Sequence, residues 1–248
     1  MRSRLLDTLD HAAALRALAE RGVNYDHGEV RAPEWSFDTH RRAVAREATG
    51  PPESGGAWET ACALVRDYEF SVPQRIRAVY RRRAALLGRD MLLEGRFYGL
   101  RFFMGVRVTE VIDETRPNGD RVWGWSYETL EGHLERGKMT YEVVKHPETG
   151  VVEFVINGCS QASPTLGPIM RVGWLLFGRR TQLRFYARCG RRLHRLLRAA
   201  SFPARGAENV RRGDLVLAPS DARPSVLERL TVRRHEPGRP RHHPPPFR

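Results

Sequence analysis

The stretch that decides the fold runs from Gly105 to Ser160. It reads GVRVTEVIDE (105–114), a turn at RPNGD (116–120), RVWGWSYETLEGHLERGKMTYEVVKH (121–146), a turn at PETG (147–150) and VVEFVINGCS (151–160). Apolar runs separated by turn residues of this kind are how consecutive antiparallel hairpins look in sequence. The second strand carries Trp123, Trp125 and Tyr127 at period two, so the three rings share one face of the sheet. Such a face either packs on a helix or lines a cavity, and the sequence leaves both open. Gly95, Gly99, Gly105, Gly124 and Gly132 punctuate the strands as bend points.

Helical patterns lie on both sides of this meander. Upstream, residues 5–21 carry Leu5, Leu9, Leu15 and Leu18 and stop at Gly22, which predicts an N-terminal helix over 1–22. Ala57–Asp67 reads as a helix with Trp58, Ala61, Cys62 and Val65 on one side, and Pro73 as the first turn of another through Ile76, Val79 and Tyr80. VNYDHGEVR (23–31) reads as a short strand, and Met91–Phe103 opens the sheet. Downstream, Gly167–Pro168 introduces a long amphipathic helix, with Val172, Leu175, Leu176, Leu183, Tyr186, Leu193 and Leu197 on its apolar side. Arg180, Arg184, Arg188, Arg191, Arg195 and Arg198 fill much of the remaining circumference. Past residue 202 the chain turns to Arg, Pro and His, too poor in apolar side chains to fold by itself. Residues 203–248 are therefore expected to be a disordered tail, with LVLAPSD (215–221) docking at most weakly.

The 248 residues are 41% apolar, enough for one substantial domain with appendages. The formal charge of +13 sits entirely in the last third: residues 1–170 carry 23 basic and 24 acidic residues, and residues 171–202 carry nine Arg and no acid. Lys138 and Lys145 are the only lysines, so an Arg bias from genome composition competes with a selected anion-binding surface. Cys62, Cys159 and Cys189 are odd in number and widely spaced, which argues against a disulfide framework or zinc cluster and for a reducing compartment. No apolar run approaches a membrane span, and the N-terminus lacks a signal-peptide pattern, so a cytoplasmic location is expected.

The chemistry-bearing motifs are sparse. His133 and Glu135 form a His-x-Glu pair, but the downstream Pro-Cys-x-x-Cys that completes a deaminase zinc site is missing. There is no HExxH, P-loop or strand-borne GxGxxG, and NGCSQAS around Ser160 lacks a nucleophile elbow. Cys159 reads as a small hydrophobe at the end of an apolar strand. No catalytic set, metal or cofactor is implied. Tyr127, Thr129, His133, Ser160, Gln182 and Tyr186 are the polar candidates for a cavity otherwise walled by Trp123, Trp125, Phe154 and the final helix, the mixture that small-molecule sites use. The competing reading is that the same rings fill a core. A partner of another class, nucleic acid or an acidic protein, would instead meet the Arg face and the tail.

The run YETLEGHLERGKMTYEV (127–143), followed by GVVEFVINGCSQAS (150–163) and the helix with Gln182 and Tyr186, resembles the UPF0548 family, also called DUF1990. The family segment reads approximately Tyr-Gly-Thr-Leu-x-Gly-His-x-x-x-Gly-Glu, then a strand ending in Ser-(Arg/Lys)-Pro. Tyr127, Thr129, Leu130, Gly132, His133 and Gly137 match it. Glu128 replaces a glycine, Lys138 and Met139 stand where acids are commoner, and Gln161–Ala162 replaces the basic-proline pair. The resemblance covers about residues 20–200. It implies an α+β fold of the START-like, helix-grip type, a curved antiparallel sheet wrapped around a long C-terminal helix. It passes on no activity. The expected organisation is a helix over 1–22, a helix-grip domain over 23–202 and the tail, with a small apolar molecule held between sheet and final helix.

Overall fold

In the computed structural model of the chain, residues 10–97, 100–163, 179–199 and 214–222 are described, without the side chains of 97, 100, 101 and 179–181. Eight strands form one antiparallel sheet: β1 (Ser36–Arg46), β2 (Ile76–Arg81), β3 (Asp90–Phe97), β4 (Leu100–Thr115), β5 (Arg121–Thr129), β6 (Glu135–Lys145), β7 (Val151–Ala162) and β8 (Leu215–Ala218). Their order is β1-β7-β6-β5-β4-β3-β2-β8, so the meander runs unbroken through the middle and β1 closes onto β7. The β4–β5 connection works because Gly119 takes φ +85°, the left-handed conformation a tight turn needs. Register shifts between Ala43 and Ala45 and between Val108 and Glu110 add residues on one side of a ladder, which bends the sheet.

Among the described residues three helices pack on this sheet. α1 (His11–Leu18) is capped by Asp10, whose Oδ1 accepts from the amides of Ala12 (2.9 Å) and Ala13 (3.1 Å). It buries Leu15 and Leu18 on the outer face against Val79, Leu92, Phe103 and Leu130. Gly105 lies directly beneath: a Cβ there would meet Leu18 Cδ2 at 2.3 Å. α2 (Ala57–Arg66) and α3 (Arg179–Ala199) lie on the inner face, and their apolar sides meet the sheet in one core. α2 contributes Trp58, Ala61 and Val65, as the spacing predicts; α3 contributes Phe185, Tyr186, Cys189 and Leu193. The architecture is α+β of helix-grip type, the class the sequence pointed to.

Several local expectations need correction. Pro73 starts no helix; Ile76–Arg81 is strand β2, and its 3–4 spacing of apolar residues misleads because four consecutive residues are buried on both faces. Residues 23–31 form no strand but a single bridge, Val23 to Leu130, and a 3-10 turn at His27–Glu29. β1 has no counterpart in the sequence reading. Leu183, assigned to the apolar side of the last helix, is 41% exposed, because the helix turns Phe185 inward instead. Part of the tail is ordered: β8 pairs with β2. The Ser220 amide and hydroxyl both bond the Glu69 carboxylate (2.9 Å each to the nearer oxygen), and Asp221 takes a bidentate pair from Arg192 at 2.8 Å. Val172, Leu175, Leu176, the proposed helix start at 167–168 and residues 223–248 lie outside the described residues.

Candidate functional site

The site is built on the inner face of β5, β6 and β7 where α3 crosses them. Strand alternation sends Trp125 and Tyr127 of β5, Met139 and Tyr141 of β6 and Phe154 and Ile156 of β7 to that face, where they join the core. Tyr68 and Phe70, just past the end of α2, close over them. The rings are in contact: Phe70 and Tyr141 have centroids 4.6 Å apart, Tyr68 and Phe70 4.8 Å, and Trp125 and Tyr141 5.2 Å. This half of the inner face is packed core, and Trp125, fully buried, donates its indole N–H to the Val65 carbonyl at 3.2 Å.

The hydroxyls of these rings form a buried polar cluster. Tyr141 Oη lies 3.5 Å from Tyr127 Oη, and Tyr186 Oη lies 3.5 Å from Met139 Sδ. Tyr68 is wholly buried, and among the described residues its hydroxyl makes no close hydrogen bond, with Tyr141 and Ser71 as the polar groups beside it. Tyr68 also sits at φ +62°, a left-handed backbone that an aromatic residue seldom adopts. An unsatisfied buried hydroxyl on a strained backbone is an arrangement that the rest of the fold must hold in place. Burial keeps the phenols of Tyr68, Tyr127, Tyr141 and Tyr186 well above their usual range, so all four are neutral donors at physiological pH.

Glu135 begins β6 on the same face, near enough to Tyr127 and Tyr186 to influence both. Burial pushes its carboxyl up to about 8, and among the described residues no donor or cation meets it. The residue is nonetheless only partly shielded from solvent. Asp38 of β1, opposite Gly158 in the ladder, is the other carboxylate on this side of Tyr186. A carboxylic acid kept neutral beside phenols is a hydrogen-bond donor rather than a counter-ion.

The sequence candidates distribute unevenly around this cluster. Tyr127 and Tyr186 belong to it, with Gln182 one turn before Tyr186 and near enough to its hydroxyl to lower its pKa. Ser160 is buried on the inner face of β7, across from Gly137. Thr129 is spent on the scaffold: its hydroxyl donates to Asn24 Oδ1 (2.6 Å) and accepts from the Gly137 amide (2.9 Å). His133 accepts the Glu135 amide at Nδ1 (2.9 Å) and so closes the β5–β6 turn. Trp123 packs only at the rim of the core that holds Trp125 and is partly buried. It sits in an open groove of about 260 Å³ between α2 and the β4–β5 end of the sheet, with Trp58, Cys62, Arg66, Asp113 and Arg121. Cys159 is half-buried rather than buried, because it faces away from the core beside the exposed Phe37.

A second polar cluster, unforeseen from sequence, covers the outer face. Glu128 accepts from Tyr25 Oη and contacts His27 Nε2, both at 2.5 Å, which fastens residues 23–35 onto β5. Burial would raise this carboxyl, but the hydrogen bonds from Tyr25 and His27, with Thr109 close by, outweigh it and the net shift is downward. Glu128 stands where the resembling family has glycine, so the anchor belongs to this chain's own sequence. Among the described residues no group of three or more His, Cys, Asp or Glu converges on a metal-sized site, and no helix is long and apolar enough to cross a membrane.

No curated protein matches the sequence. Among solved structures the chain is similar to Ara h 8.0201, at 9% identity over 66% of this chain and 99% of that one, with a TM-score of 0.36. It is similar to a point mutant of Thalictrum flavum norcoclaurine synthase in complex with a transition-state analogue (9% identity, 68% and 97% covered, TM-score 0.40). The major latex-like protein 151 of Panax ginseng gives 9% identity, 66% and 97% coverage and a TM-score of 0.37. A family model described as "Domain of unknown function (DUF1990)" matches residues 20–192, more than half of the length, and the chain belongs to that family.

Proposed function

We propose that this protein binds a small, largely apolar molecule carrying at least one hydrogen-bond acceptor, between the inner face of the sheet and α3. The observation that carries the reading is the Tyr68 hydroxyl, fully buried, without a close hydrogen bond among the described residues and held on a strained backbone next to Tyr141 and Tyr127. A ligand oxygen would supply the partner this hydroxyl lacks. Glu135 supports the same reading: a neutral acid without a partner that still meets solvent is what the mouth of a cavity offers. In this arrangement Trp125 and Tyr127 are wall, Tyr68, Tyr186 and Glu135 are donors, and Ser160 and Gln182 stand near the opening. Thr129 and His133 act through the turn they stabilise, and Trp123 through its own groove. No reaction is assigned.

The test is native mass spectrometry of the purified full-length protein, followed by organic extraction and a thermal-shift panel of apolar metabolites. A stoichiometric small molecule, reduced in Tyr68→Phe and Glu135→Gln, is the expected result. A clean unliganded mass together with a flat panel overturns the proposal.

A further inference from the structure

The solvent side of α3 is lined with arginine. Arg184, Arg188, Arg191, Arg195 and Arg198 are all exposed, at successive spacings of four, three, four and three. At 100° per residue they fall within about 80° of the helix circumference, and at 1.5 Å per residue the row is about 21 Å long. The helix holds no Asp or Glu in its 21 residues. Arg180, expected on the same face, has a side chain outside those described.

Genome bias alone does not account for this row. On the sheet, arginines are repeatedly set against carboxylates: Arg41 with Glu153 (3.0 Å), Arg107 with Asp90 (2.7 Å), Arg116 with Glu142 (2.6 Å) and Arg136 with Glu29 (2.9 Å). Even within α3, Arg192, which points off the row, is held by Asp221 and the Glu69 carbonyl. Among the described residues the five in the row meet no such acid, although like charges one turn apart repel and a single Glu among them would relieve it.

We propose that this face of α3 binds the phosphate backbone of duplex nucleic acid without reading its sequence. About 21 Å of duplex presents on the order of 12 phosphates, more than enough for five guanidiniums, each able to bond a phosphate with two N–H groups. The row carries no aromatic platform of the kind single strands stack upon, and no Asn, Gln or Ser of the kind that reads base edges. Leu183 is the one large apolar side chain exposed on the described helix, too little for insertion into a membrane. The site is on the opposite side of α3 from the tyrosine cluster and stands independently of it.

Fluorescence anisotropy with a labelled random 20-base-pair duplex tests it, using the full-length protein at about 50, 100 and 200 mM salt. Expected is binding that weakens steeply with salt, by roughly 0.9 log units per log unit of salt for each phosphate engaged. The triple variant Arg184→Gln, Arg188→Gln, Arg191→Gln touches only exposed side chains and keeps its melting temperature. It should bind at least tenfold more weakly at 100 mM salt and lose about three from the salt slope, and the matching Lys variant should recover most of that slope. No binding at 50 mM salt overturns the proposal. So does a slope unchanged in the triple variant, which would place binding in the tail, or a preference for single strands or for phosphatidylserine vesicles over duplex.

Discussion

Replacing Tyr68 by phenylalanine removes one oxygen from the centre of the molecule and leaves the rest in place. The ring keeps its neighbours, with centroids 4.8 Å from Phe70 and 6.2 Å from Trp125 and Tyr141. The left-handed backbone at φ +62° is the same for both residues, so its strain cancels in the comparison. What changes is the cost of a buried hydroxyl without a partner, about 1–3 kcal/mol. The unliganded variant should therefore be more stable than the parent by that amount. In a domain of this size that is a rise of roughly 2–10 °C in melting temperature. Urea unfolding of both proteins after exhaustive ligand extraction measures it, with Tyr141→Phe as the control. That control loses a long contact of 3.5 Å to Tyr127 and a neighbour of the Tyr68 hydroxyl, and should change stability little. A Tyr68→Phe protein that is less stable by 1 kcal/mol or more refutes the reasoning, because the hydroxyl would then be making a bond. Greater stability combined with lost ligand is the signature of a residue kept for binding.

Two further substitutions address charge. Glu135 has a folded-state pKa raised by burial from 4.5 to about 8, so its neutral form stabilises the fold fully below about pH 4.5, and that contribution drains away as pH rises towards 8. Glu135→Gln should therefore gain at least about 1 kcal/mol over the parent between pH 5 and pH 8 in urea midpoints, and parallel pH profiles for the two proteins would sink the assignment. Lys145 and Glu47 form a pair with almost no exposed surface, 3.2 Å apart; Lys145 also donates to the Ala48 carbonyl (2.6 Å) and Glu47 accepts the Trp58 amide (2.6 Å) at the start of α2. Lys145→Ala strands a buried carboxylate and should cost about 3–5 kcal/mol by equilibrium unfolding, whereas a loss under 1 kcal/mol would show the pair to be dispensable.

The parts of this molecule that were legible in sequence are those where local chemistry and tertiary role agree. β4 to β7 alternate, and their turns carry the residues their geometry needs, so the meander reads directly. β1 hid because its inner face carries Asp38, His40 and Arg42, across the ladder from Gly158, Ile156 and Phe154. With charges directed towards the covering helix, a binary pattern points the wrong way. β2 is buried on both faces and lost its period. Of the site, Tyr127 and Tyr186 could be found by periodicity. Tyr68 could not, because its meaning lies in a backbone dihedral and in the absence of a partner, neither of which composition records. Glu135 was visible only as the second half of a His-x-Glu pair; its isolation is a property of the packed structure.

β8 has a meaning beyond closing the count of strands. Without it, the backbone of β2 from Ala78 to Arg81 would present bare amides and carbonyls at the rim of the sheet, where another copy of the chain can add itself. Four residues from a segment that composition marks as tail occupy that rim, and Glu69, Arg192 and Asp221 rivet them to the body. The molecule thus guards its sheet against self-association with a piece of chain that a boundary drawn on composition alone would cut away.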